Sequence, residues 1–248
     1  MPRIAFRVAL LLALGWTLSL AGERAPEALA KVPVFRARKH EFHGLRFLTS
    51  QTVLRTAGIG PDASLWDDPH AWEERLERHP LVQDAQVRRR FPSTLVVTVE
   101  ERSPVGLVPT PTLEPVDAEG RFLPLDPSRF PLDYPILRPG HIQGGGDAEM
   151  SQLKIRELAA AAALMRTEAE FWSQVSEVEA GDNGGLVVHR GQPEVIFRLP
   201  PKVEPHRLRE AMAVLDDAMS RGGGRTPESV DLRFADYVFL DWGRGGRP

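Results

Sequence analysis

The chain has 248 residues, enough for one large or two modest domains, and its 42% apolar and 26% charged content is that of a folded protein. A formal net charge of −3 provides no global field for drawing in nucleic acid. Cysteine is absent, which excludes thiolate nucleophiles, CxxC redox chemistry and zinc knuckles and suits an extracytoplasmic compartment.

The N-terminus carries an apolar run, Ile4 to Ala21, in which Arg7 is the charged exception. A helix of that length rises roughly 27 Å, close to the thickness of a bilayer's hydrocarbon core. Arg3 and Arg7 lie at its N-terminal end, where Arg7 can snorkel to the headgroups. The same stretch also suits a cleaved signal peptide, because Ser19-Leu20-Ala21 and Ala28-Leu29-Ala30 place small residues at signal-peptidase spacing. Either reading exports the bulk of the chain.

Residues 34–42 (VFRARKHEF) alternate weakly and predict a charged edge strand. A helix follows with Thr49 as N-cap, Leu48 and Val53 at staple spacing, and Gly58 at C′. Val53, Leu54 and Ala57 form its apolar stripe. Asp68-Pro69 opens a second helix with a cap and a proline at N1, Trp72 and Leu76 facing the core, and Pro80 ending it. Residues 79–102 then read as strand, turn, strand. Ala85, Val87 and Phe91 fall on one parity of the first half, Leu95, Val97 and Val99 alternate with Val96, Thr98 and Glu100 in the second, and Pro92, which cannot donate to a ladder, belongs in the turn. The order is β-α-α-β-β.

In the second half, residues 104–116 and 121–125 predict a hairpin closed by Ala118-Glu119-Gly120. Pro and Gly crowd residues 127–146, and residues 148–168 are the most helical segment, with Leu153, Leu158, Ala161 or Ala162, and Met165 on the buried side. Short strands follow at 175–178, 185–189 and 195–199. An amphipathic helix over 205–220 shows Leu208, Met212 and Leu215 on one face, and a last strand pair covers 229–234 and 237–242.

The run HPLVQDAQVRRRFPSTLVVTVEERSPVGLV, then Val116-Asp117-Ala118-Glu119-Gly120, then Val230-Asp231-Leu232-Arg233-Phe234, in that order behind an apolar N-terminus, resembles the FtsQ/DivIB family of bacterial cell-division proteins. The resemblance implies an α+β protein: an N-terminal transmembrane helix, a POTRA domain (polypeptide-transport-associated, β-α-α-β-β), and an antiparallel-sheet β-domain with two packed helices. The domains implied are an uncleaved anchor over 1–22, a linker over 23–33, the POTRA domain over 34–103, the β-domain over 104–242, and a tail. With so few residues before the apolar run, the family's long cytoplasmic tail is expected to be missing. The resemblance further implies a non-enzymatic, single-pass scaffold of the inner membrane at the septum, with FtsB, FtsL and other divisome proteins as partners.

Residues 237–242 (YVFLDW) are apolar on both parities. That pattern suits a central or doubly covered strand, and equally an open edge that receives a partner strand. The resemblance implies the second, with Arg233, Phe234, Tyr237, Val238, Phe239, Leu240 and Trp242 as contacts to FtsB and FtsL. It also implies that the hairpin around Val87 and Arg89 recruits other division proteins.

Other signals carry little chemistry. Arg88-Arg89-Arg90 lacks a stacking platform for nucleic acid. His40 and His43 are three apart on a strand, so they fall on opposite faces and cannot chelate together. Gly58-Ile59-Gly60 lacks the preceding strand of a dinucleotide loop. No nucleophile elbow, phosphate loop or paired acid is found, so no cofactor, metal, small-molecule substrate or catalytic residue is expected. Two rivals stay open on the residues: a POTRA-bearing polypeptide transport or assembly factor of the envelope, and an exported cell-wall enzyme. The first normally repeats its module and ends in a barrel; the second needs a reactive constellation.

Overall fold

The computed structural model describes residues 32–126, 129–140, 148–181, 184–223 and 225–243. The apolar run from Ile4 to Ala21 and the tail beyond 243 lie outside them. The chain divides into two units, residues 1–101 and 102–248.

The first unit is a three-stranded sheet with two helices on one face. Its strands are β1 (Lys39–His43), β2 (Val82–Arg90) and β3 (Thr94–Glu101), ordered β1-β3-β2, with β1 parallel and β2 antiparallel to β3. The helices are α1 (Ser50–Ala57) and α2 (Pro69–Glu77). Both have the caps that their sequences specify. The Thr49 hydroxyl accepts from the Thr52 N–H, Gly58 takes a left-handed φ of 72°, and the Asp68 carboxylate accepts from the His70 N–H. Val53, Ala57, Trp72 and Leu76 from the helices close on Ala85, Val87, Leu95, Val97 and Val99 from the sheet. Thr98 and Glu100 on the other face are exposed, as alternation in a one-sided sheet requires.

Two expectations change here. The first strand starts at Lys39 rather than at 34, because Pro33–Phe35 forms a single 3₁₀ turn. Phe91 does not continue the buried parity of Ala85 and Val87; it sits in the turn after β2 and is 54% exposed.

The second unit is an eight-stranded sheet: β4 (Gly106–Pro109), β5 (Leu113–Val116), β6 (Ile136–Arg138), β7 (Val175–Ala180), β8 (Leu186–Arg190), β9 (Val195–Leu199), β10 (Ser229–Asp231) and β11 (Phe239–Asp241). The spatial order is β11-β10-β9-β8-β7-β6-β4-β5. The sheet is mixed, not antiparallel throughout: β10/β9, β7/β6 and β6/β4 pair parallel. A tight turn cannot join parallel neighbours, so the chain crosses over. Helices α3 (Ala148–Met165) and α4 (Ala169–Trp172) lie between β6 and β7, and α5 (Pro205–Arg221) lies between β9 and β10.

Those crossovers bury one face of the sheet. Leu240, Val230, Phe197, Val188, Val178 and Leu137 are register partners across six strands, and all but Leu240 are fully buried. From the helices, Ile155, Leu158, Ala162 and Met165 of α3 and Leu208, Met212 and Leu215 of α5 join the same core. Leu153, expected on the buried side of α3, is exposed; Ile155 takes the inward position. The first hairpin of this unit is β4–β5, closing earlier than expected. The Asp117-to-Gly120 turn then brings Phe122 back to a single bridge with Val116.

Candidate functional site

The two rims of the eight-stranded sheet are finished differently. At the β5 rim the chain's own next segment lies alongside: Phe122 bridges Val116, and the Leu123 N–H donates to the Pro115 carbonyl at 2.8 Å. At the other rim β11 pairs with β10 and, among the described residues, with no further strand. The alternatives left open for residues 237–242 are thereby separated: this is an edge strand.

The strand pair is shorter than its sequence suggests, because residues 232–238 form an irregular connection. That connection is held by Arg207 from the first turn of α5. Its guanidinium Nη2 donates to the Phe234 and Tyr237 carbonyl oxygens, both at 3.0 Å, and Nη1 reaches Glu210 Oε2 at 2.7 Å. Sequence reasoning missed Arg207, which looks like any cation on an amphipathic helix. Only its distance from the 232–238 connection reveals the role.

Held in this way, the connection and β11 present a cluster of rings. The Phe234 and Phe239 centroids are 5.0 Å apart and edge-to-face, and Tyr237 lies 6.0 Å from Phe239. The three are 52%, 65% and 51% exposed. Val238 and Leu240 instead lean on the core. Trp242 is half-buried, its ring beside Gly222 at the end of α5. Arg233 folds back on Asp231, with Nη2 to Oδ2 at 2.6 Å and Nε to Oδ1 at 3.0 Å, while its backbone N–H donates to the same carboxylate. The Arg233 guanidinium therefore holds the Asp231 carboxyl below its ordinary value, against the opposing effect of partial burial. A cavity of about 310 Å³ opens beside the cluster, between the first turn of α5 and Leu232, Arg233 and Ala235.

The motif at 116–120 is explained by its carboxylate. Asp117 is 2% exposed, accepts the Glu119 and Arg121 N–H groups on Oδ1, and pairs with Arg102 through Oδ2 at 3.1 Å. Gly120 supplies the φ of 72° that closes the turn.

On the first unit, Val87 and Arg89 do not form one surface. Val87 is 5% exposed and packs in the core, while its backbone N–H donates to Glu73 Oε1 at 2.7 Å. Its side chain is therefore not available to a partner, a correction to the expected recruitment surface. Arg89 is exposed and donates to the Asp67 carbonyl at 3.0 Å. Among the described residues no helix is long and apolar enough to cross a membrane.

The family model of the POTRA domain, FtsQ-type, matches residues 35–102, the span that carries β1 to β3. A cell division protein FtsQ of Rhodothermus marinus is 30% identical over 214 residues, covering 83% of this chain and 77% of that relative. The chain belongs to the FtsQ/DivIB family. Similarity extends to FtsQ of Myxococcus fulvus, 30% identical with 71% of this chain and 63% of the relative covered. It reaches DivIB of Geobacillus kaustophilus as well, 30% identical over 53% of this chain and 51% of that protein. Family membership places the chain among the proteins of bacterial cell division.

Proposed function

We propose that this FtsQ/DivIB-family protein is a membrane-tethered scaffold whose β11 rim receives a strand from a division partner, with the FtsB and FtsL homologues as the occupants. The observation that carries this reading is the contrast between the rims: the chain closes one itself and, among the described residues, leaves the other open beside three exposed rings. An unprotected apolar edge is an aggregation liability unless a partner covers it. Strand addition would supply main-chain hydrogen bonds, with Phe234, Tyr237 and Phe239 as anchors and the neighbouring cavity as a place for a partner side chain. The role is assembly rather than chemistry. The apolar run from Ile4 to Ala21 would serve as the single-pass anchor, with the C-terminal units outside the cytoplasm and gathered at the septum. Other division proteins would meet the POTRA surface around Arg89.

The test is capture of a purified FtsB homologue by the full chain and by Tyr237→Ala/Phe239→Ala, both at exposed positions. Binding should weaken at least tenfold while circular dichroism and the melting transition stay in place. Unchanged capture by a folded double variant removes the edge-docking reading. Charge reversal at Arg89 should leave that capture intact and reduce recruitment of later division proteins.

A further inference from the structure

A second aromatic cluster, partly exposed, lies on the POTRA unit. Phe35, Trp66 and Phe91 form a closed triangle of rings, with centroid separations of 5.8, 6.0 and 5.7 Å. They come from three different places: the 3₁₀ turn where the chain enters, the loop before α2, and the β2–β3 turn. The triangle is not sealed. Phe91 is 54% exposed, Val34 is 52% exposed and Val32 is 39% exposed, so apolar surface continues from the rings along the entering chain.

Cations surround it. Arg36, Arg38 and Lys39 follow Phe35 directly and are exposed, and the Arg38 and Lys39 N–H groups donate to the Ser93 carbonyl, which brings that segment against the turn. Arg90, before Phe91, pairs with Glu41 on the surface, and Arg36 lies 3.6 Å from Asp62 with both side chains more than half exposed. Exposed pairs of this kind contribute about 0–1 kcal/mol, so the guanidinium groups can exchange them for phosphate.

We infer that this tip docks in the headgroup layer of an anionic phospholipid bilayer, with Phe91 and Val34 inserted and Arg36, Arg38 and Lys39 facing phosphate. The inference rests on the reading of Ile4 to Ala21 as an anchor. Residues 22–31 separate that run from the first described residue, and ten residues reach at most about 36 Å when fully extended. The exposed Phe91 and Val34 thus lie on the part of the unit that enters from the anchor, at a high effective concentration of lipid. Aromatic rings with flanking arginine and lysine are also the composition of membrane–water interfaces. Docking would hold the POTRA sheet at a set orientation to the membrane.

The absence of cysteine makes the test direct, since one introduced cysteine takes one probe. The full chain is reconstituted in phosphatidylglycerol-containing vesicles with an environment-sensitive fluorophore at Ser93→Cys, beside the turn, or at Gln83→Cys, at the far end of β2. Quenching by a bromolipid should be several-fold stronger at Ser93 than at Gln83. Adding Val34→Asp/Phe91→Asp, both at exposed positions, should abolish the excess without changing the melting transition. A chain stripped from the vesicles at alkaline pH would remove the anchor reading and this inference together. A retained chain with both probes equally wet would remove this inference alone. Shielding of Ser93 that requires an added division protein, rather than lipid, would assign the tip to a protein and overturn it.

Discussion

Three carboxylates order local structure that no periodicity explains. Glu101, at the end of β3, accepts the Arg46, Phe47 and Leu48 N–H groups, at 3.1 and 2.6 Å on one oxygen and 2.9 Å on the other. It thereby fixes the loop that leads into α1. Hydrogen bonds to a charged group contribute about 1.5–3 kcal/mol, so Glu101→Ala should lower unfolding stability by about that amount in urea titration. Asp117 is buried against Arg102. Asp117→Ala leaves Arg102 with Glu119 alone and the Glu119 and Arg121 N–H groups without their acceptor, and should cost about 1–3 kcal/mol, more than Glu119→Ala, whose carboxylate is half exposed. Asp231 titrates below its ordinary value of 3.8 because Arg233 holds it ionised. Its contribution is complete above that pH and is lost as pH falls through the lower folded value, and Asp231→Asn should remove this acid dependence.

Among the elements, α5 has two roles. Its buried face of Leu208, Met212 and Leu215 completes the crossover from β9 to β10, and its first turn sends Arg207 to the rim. Arg207→Gln should leave the helix in place, since its core face is untouched. It should speed hydrogen exchange at residues 232–238 and weaken partner capture about tenfold, equivalent to about 1.4 kcal/mol. The ends of α1 show the opposite situation, where everything is local. Thr49→Ala removes the cap bond from the Thr52 N–H and the hydroxyl–hydroxyl bond to the same residue, and should cost about 1 kcal/mol, read as a shifted denaturation midpoint. Caps and the proline at N1 of α2 were legible in the sequence because the groups they satisfy lie within four residues. The direction of β6 and β10 was not. Two long helices lie between strands and suit crossovers, whereas the family resemblance implies an antiparallel sheet, and residue spacing carries no strand direction.

In the whole molecule two separate cores, one in each unit, give two separate responses to acid. In the first unit, burial lowers the pKa of His40 and of His79, the latter partly offset by Glu101. A folded pKa below the unfolded value near 6.5 means that protons bind the unfolded chain preferentially. POTRA stability is therefore full above about pH 6.5 and declines as pH falls through the lowered values. Hydrogen-exchange mass spectrometry between pH 7 and 5 should show opening in residues 39–101 before residues 105–241, and His40→Asn should reduce the difference. The amino-acid sequence by itself determined the helices, their caps, the POTRA order β-α-α-β-β and the family, because each is written in spacing along the chain. Only the tertiary structure decided that Val87 is inside, that Phe91 is outside, that the second sheet is mixed and that β11 is a rim. Strand pairing joins residues far apart, and a strand apolar on both parities reads the same in the middle of a sheet as at its edge.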